Sequence, residues 1–329
     1  MSSYSVSRRS IFKGAALTAA AGATATTGFV QPVFADGHPE LPVRPFANRI
    51  AVGGLEVTTV FDGALQLPGP HPIFGQNVEA SEVQALAKAN FLPGDMMEIG
   101  FTPTIVRDGT NTILFDTGNG DVTGRRPNAG NLVTRMKLIG IDFKDVTHVV
   151  LTHFHGDHIG GLFENDQPTF PNAVYLTGAA EHNFWTADSA LSGGTERGAK
   201  LVRKVVSPLN EKMTFLNPGD AVAPGITAVD GSGHTPGHMC YNLESNGERL
   251  VLIADLANHY VVSLQRPDWH VRFDMDKEKA VAARKSILGM IAADKVPFIG
   301  YHMPFPSVGY LTAKDAGFEY TAASYQLYL

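Results

Sequence analysis

Apolar positions along this chain fall in short runs broken by Gly, Pro, Asp and Asn, a pattern that reads as strands between turns. One run covers residues 55–61 and stops at Asp62-Gly63. Residues 104–106 and 112–115, joined by Arg107-Asp108-Gly109-Thr110, predict a β-hairpin. Further strands are expected at 146–151, 173–176 and 226–229. Residues 238–243 should pair with 250–253 across Ser245-Asn246-Gly247-Glu248, and 296–300 is the last clear strand. Helical spacing appears at 81–89, where Ser81 can cap, and at 132–138, which ends at Gly140. It returns at 179–187 and at 277–293, where Asp276 can cap. The Pro-rich residues 36–50 read as a loose arm, and most of 63–100 as irregular. Strands and helices alternate in both halves with no linker and no fixed repeat, which predicts one α/β sandwich domain over 36–329.

The first 35 residues read differently. Arg8-Arg9 precede Ile11-Phe12-Lys13, an uncharged Ala/Thr/Gly stretch follows, and Val33-Phe34-Ala35 offers a small-residue cleavage site. This resembles a twin-arginine export signal, which implies a periplasmic or secreted protein. Ala and Thr are poor at holding a bilayer span, so no stable membrane span is expected in the mature chain. Cleavage after Ala35 leaves 294 residues and moves the formal charge from −6 to −9. That acidic balance argues against nucleic acid as a partner. The single Cys240 excludes an intramolecular disulfide and a cysteine-only metal site.

The twelve histidines carry the chemistry. Thr152-His153-Phe154-His155-Gly156-Asp157-His158 follows directly on the apolar run 146–151. Alternation along an extended chain puts His153 and His155 on one side. Gly156 then lets the chain turn, so that Asp157 and His158 face a second point. Four such groups would be costly to bury unpaired, which makes a metal site the expected reading. His234, in Gly233-His234-Thr235-Pro236-Gly237-His238, Asp255, at the end of 250–253, and His302, after 296–300, stand where strand ends gather loops into a site. Imidazole and carboxylate suit Zn²⁺, Fe²⁺ or Mn²⁺, and the mixture does not choose among them.

The order His-x-His-x-Asp-His, then His, Asp and His, together with Leu114-Phe115-Asp116-Thr117-Gly118, resembles the metallo-β-lactamase superfamily. The resemblance implies an αββα sandwich and two divalent metal ions, zinc foremost. It implies that His153, His155 and His234 hold one ion, that Asp157, His158 and His302 hold the other, and that Asp255 bridges both. Asp116 would support the site without ligating, and His238 would orient the turn bearing His234. A homodimer is implied as well. The sequences around His234 and His302 look like the group containing methyl parathion hydrolase and its lactonase relatives. Cys240, six residues past His234 in an apparent strand, reads as a small core residue and not as the ligand of class B β-lactamases.

Two bridged metals imply a hydroxide nucleophile at neutral pH, with Asp157 or Asp255 able to pass a proton to the leaving group. No Gly-x-Ser-x-Gly run offers a serine nucleophile. The expected substrate is a small molecule, most readily a lactone; an aryl phosphotriester is the alternative reaction. Leu65, Leu67, Trp185, Asn258 and Phe273 are candidate walls of its pocket. His38, His71, His182, His259 and His270 read as surface or supporting residues.

Overall fold

The computed structural model describes residues 45–324. The export signal expected at 1–35 lies outside the described residues. The described part of the arm expected at 36–50 is not loose, because Ala47–Val52 is a strand paired antiparallel with Leu55–Val60. Gly53-Gly54 forms the two-residue turn between them, with Gly53 at φ +56°. A Gly-Gly step between strands is a hairpin signal, and here it outweighs the Pro-rich flank.

Two seven-stranded sheets form the body of the protein. The first runs, in spatial order, Ala47–Val52, Leu55–Val60, Thr104–Arg107, Thr112–Phe115, His148–Leu151, Val174–Gly178 and Met213–Leu216. Its last four strands are parallel. The second runs Ala221–Ala223, Ile226–Asp230, Met239–Ser245, Glu248–Ala254, Phe298–Gly300, Val308–Lys314 and Gly317–Ala322. Only Glu248–Ala254 and Phe298–Gly300 are parallel there.

The strands are apolar on both faces because each sheet is covered on both. Val150 faces the inter-sheet core with Phe115, Tyr241 and Leu252, while Val149 and Leu151 pack outward with Met136, Trp185 and Val202 of the helices. On the second sheet Leu250 and Leu252 point inward, and Val251 and Ile253 meet Ile287, Leu288 and Ile291 of the helix Lys277–Asp294. The layers are therefore αββα. Asp276 caps that helix, its side chain accepting from the Lys279 amide. Ser81 does not cap, since the helix Ala80–Ala89 begins one residue earlier, on Glu79. Cys240 is fully buried in the second sheet, donating to the Ile253 carbonyl.

The region 63–100 is not irregular. Gly63–Pro68 and Met96–Phe101 form a two-stranded antiparallel ribbon enclosing the helix Ala80–Ala89. The ribbon packs on Phe74, Val262, Trp269 and Tyr301, and so builds one wall over the end of the sandwich. The hairpin Val308–Lys314 and Gly317–Ala322 lies beyond the strand expected to be last.

Candidate metal centre

Strand ends place the expected ligands. The loop bearing His153 to His158 follows His148–Leu151, Asp255 follows Glu248–Ala254, His302 follows Phe298–Gly300, and His234 lies beyond Ile226–Asp230. The chain must turn sharply at these ends. Asp116 sits at φ +62° and Ala254 at φ +44°, left-handed conformations that side chains rarely adopt and that the surrounding structure must impose. The loops also pack backbone on backbone. A Cβ on Gly161 would lie 2.0 Å from the Thr117 carbonyl oxygen, and one on Gly237 would lie 2.1 Å from the Glu181 amide nitrogen.

The seven side chains converge as two groups. His153, His155, His234 and Asp255 each offer an atom within 4.8 Å of the others, and so do Asp157, His158 and His302. In the first group His155 Nδ1 lies 3.1 Å from His153 Nε2 and 2.9 Å from His234 Nε2. In the second, Asp157 Oδ2 is 3.6 Å from the Nε2 atoms of both His158 and His302. The Asp255 carboxylate stands between them. Its Oδ1 is 3.1 Å from His158 Nε2, and its Oδ2 is 3.1 Å from His302 Nε2 and 3.3 Å from His234 Nε2.

These residues fit a pair of cations. His158 Nε2 and Asp255 Oδ1, buried and 3.1 Å apart, have no hydrogen-bond partner among the described residues besides each other. Ring nitrogens of three histidines aimed at one another need something electropositive between them. The electrostatics agree. Burial alone would push His158 down, but Asp255, Asp116 and Asp157 together hold it well above its ordinary value. Burial likewise opposes the proton on His234, yet hydrogen bonds to Asp255 and Asp274 raise it to about 9. His155, buried beside His234, falls to about 3. Burial would raise Asp255, but the charges of His302 and His158 hold its carboxyl well below the usual range.

The ring nitrogens facing away from this centre are anchored. His158 Nδ1 donates to Asp116 Oδ2 at 2.7 Å, and Asp116 also accepts from the Thr152 amide and hydroxyl. His234 Nδ1 donates to Asp274 Oδ1 at 2.9 Å, and His302 Nδ1 to the Gly100 carbonyl at 2.7 Å. Such outward hydrogen bonds select the tautomer whose free nitrogen points inward. His238 links two loops: Nδ1 donates to the Gly231 carbonyl and Nε2 accepts from the Asp255 amide.

Beside His302 opens a cavity of about 810 Å³. Phe61, Met97, Met303 and Phe305 supply much of its apolar wall, and Asn258 and His259 a polar edge. Of the five candidate wall residues, only Asn258 lines it. Leu65 and Leu67 turn into the packing beneath the ribbon, and alternation puts Gln66 on the cavity instead. Phe273 joins the same packing. Trp185 is buried between the first sheet and its helices, its ring centroid 6.2 Å from that of His155 and its Nε1 donating to Glu181. His259, expected at the surface or in support, is buried and lines the cavity.

A family model described as Metallo-beta-lactamase superfamily matches residues 102–293. The chain belongs to this superfamily. Among curated relatives it is 31 % identical over 133 residues to the N-acyl homoserine lactonase AttM of Agrobacterium fabrum, covering 38 % of this chain and 46 % of AttM. The chain thus spans about half the length of that relative. It is 22 % identical over 227 residues to an N-acyl homoserine lactonase of a Bacillus species, covering 64 % and 84 % of the two chains. Among solved structures, AidC, a dizinc quorum-quenching lactonase in complex with a product, aligns with a TM-score of 0.79 and 27 % identity over 85 % of this chain and 98 % of its own.

Proposed function

We propose that this superfamily member is a binuclear metal-dependent hydrolase that opens lactones, with N-acyl homoserine lactones as the substrate class. The observation that carries the reading is the Asp255 carboxylate set between two groups of ligand atoms, of which His302 lines an apolar cavity. The N-acyl homoserine lactonase relatives support the substrate class.

His153 Nε2, His155 Nδ1 and His234 Nε2 would hold one ion, and Asp157, His158 and His302 the other, with Asp255 shared. Two divalent ions, zinc in this reading, supply Lewis acidity and a water whose pKa is lowered to about 7. The remaining work belongs to the chain. The apolar wall takes the acyl arm and leaves the lactone carbonyl at the His302 end of the cavity. Asp157 and Asp255 are the two candidate proton carriers, and they differ in access. The Asp157 side chain is 16 % exposed, while that of Asp255 is 4 % exposed and accepts from Asn258 Nδ2. Asp157 therefore takes the proton released on attack and returns it to the ring oxygen as the acyl C–O bond breaks, giving the hydroxy acid. The resemblance of residues 233–238 and 301–306 to the methyl parathion hydrolase group belongs to this reading as kinship. Export through residues 1–35 and assembly as a homodimer belong to it on the same motif-level grounds.

The test combines metal analysis with a substrate panel of N-hexanoyl-homoserine lactone, dihydrocoumarin and methyl paraoxon. Lactone turnover should dominate the panel. His155→Ala and Asp255→Asn should each lower bound metal and cut kcat/KM at least 10²-fold, the order lost with one strong electrostatic contributor. Full activity after metal removal, or turnover confined to the phosphotriester, would refute the assignment.

A further inference from the structure

His259 stands four residues past Asp255, where the chain enters the short helix Val262–Gln265. Its Nδ1 accepts hydrogen bonds from the amides of Val261 at 3.0 Å and Val262 at 3.3 Å. A nitrogen that accepts carries no proton, so the neutral ring bears its proton on Nε2. Burial pushes the group down to about 4, which keeps it neutral at physiological pH. The ring is clamped: Tyr260 stacks on it with centroids 5.2 Å apart, and Phe74 meets it edge-on at 5.6 Å. Nε2 has no hydrogen-bond partner among the described residues, although the residue is only 8 % exposed and shares its cavity with His302. A fixed donor at the polar edge of a cavity is matched by water until a ligand supplies an acceptor in its place.

We propose that His259 Nε2–H binds the amide carbonyl of the acyl arm, and so makes this cavity selective for N-acyl lactones over plain alkyl lactones. The inference rests on the lactonase reading and adds the recognition element within it. The apolar wall grips either kind of chain, whereas the imidazole rewards only the one that carries an acceptor.

Two substitutions separate the functions of the ring. His259→Asn keeps an acceptor where Nδ1 caps the helix but has nothing at Nε2. His259→Gln places an amide donor near Nε2 but gives up the cap. With N-decanoyl-homoserine lactone, His259→Asn should raise KM about tenfold with little change in kcat, the weight of one neutral hydrogen bond. With an alkyl lactone of equal chain length it should change neither, and His259→Gln should keep most of the selectivity. Equal loss on both substrates, or no loss on either, overturns the inference while the lactonase reading stands. Wild-type protein that turns over neither lactone overturns the reading and the inference together. In wild-type protein the ¹⁵N imidazole spectrum should show His259 protonated at Nε2 and shifted when N-hexanoyl-homoserine binds. A resonance that does not move is a second refutation, independent of how the variants fold.

Discussion

Arg284 is fully buried in the helix Lys277–Asp294, yet its charge is spoken for. Nη2 donates to Asp274 Oδ2 at 2.6 Å, Nε to the Leu256 carbonyl, and Nη1 to the Pro267 and Trp269 carbonyls. Asp274 passes that order on to His234 Nδ1. Burial would raise the Asp274 carboxyl, but the His234 hydrogen bond and the Arg284 charge hold it below its ordinary value. The sign follows from linkage. A carboxyl lowered by folding stabilises the protein above its unfolded pKa, near 3.9, and that contribution is lost as pH falls through the lower folded value. Asp274→Asn removes the charge, strands a buried guanidinium and loosens His234. We expect a loss of about 3 kcal/mol at pH 7 by chemical denaturation, and metal affinity 10- to 100-fold weaker by competition with a chelator. An unchanged denaturation midpoint would mean that Arg284 finds another partner.

At the scale of elements, two ligand loops are tied through one carboxylate. Glu181, in the first turn of the helix Ala179–Thr186, accepts from the Phe154 amide and Trp185 Nε1 on one oxygen, and from Thr235 Oγ1 and the Gly237 amide on the other. Phe154 lies between His153 and His155, and Thr235 follows His234, so this helix sets the spacing of the first ligand group. Gly237 is what lets its loop reach the helix. Gly237→Ala would drive a methyl into the Glu181 backbone and should destabilise the protein by about 3 kcal/mol, measured as a fall in melting temperature together with reduced bound metal. A variant of wild-type stability would show that the loop can retreat without cost. This contact also marks the limit of what was legible from sequence. The His-x-His-x-Asp-His run and the strands before each ligand are local, written in adjacent residues, and they could be read directly. Glu181 looks like any acidic residue in a first helical turn, and Asp274 is separated from His234 by forty positions. The ribbon Gly63–Pro68 with Met96–Phe101 escaped for the same reason, since a whole helix intervenes and no short turn announces the pairing. The pocket residues depended on which face of that ribbon points inward. A one-residue difference exchanged Leu65 and Leu67 for Gln66.

For the molecule as a whole, the centre sits where the ends of both sheets meet, so its occupancy bears on the stability of the sandwich. Without cations, the buried His158 Nε2 and Asp255 Oδ1 face each other at 3.1 Å and have no other hydrogen-bond partner among the described residues. Ligands that bind only the folded state stabilise it by about 2.7 kcal/mol at one hundred times their dissociation constant. In a domain of this size that amounts to a shift of about 5 °C in melting temperature. Chelation should produce a fall of that order, and added zinc should reverse it. The pH dependence has a definite direction. In the metal-free protein His234 holds its proton up to about pH 9, and the carboxylates around His158 keep that ring protonated well above its ordinary value. An imidazole must lose the proton on its coordinating nitrogen before it can bind a cation, so protons compete with metal. Affinity should climb as pH rises toward 9, and binding at pH 7 should release protons to the buffer. Calorimetric titration in two buffers of different ionisation enthalpy measures that release directly. Equal heats in both buffers would mean that His158 and His234 are already deprotonated before the metal arrives, so that the carboxylate cluster does not hold their protons as the geometry requires.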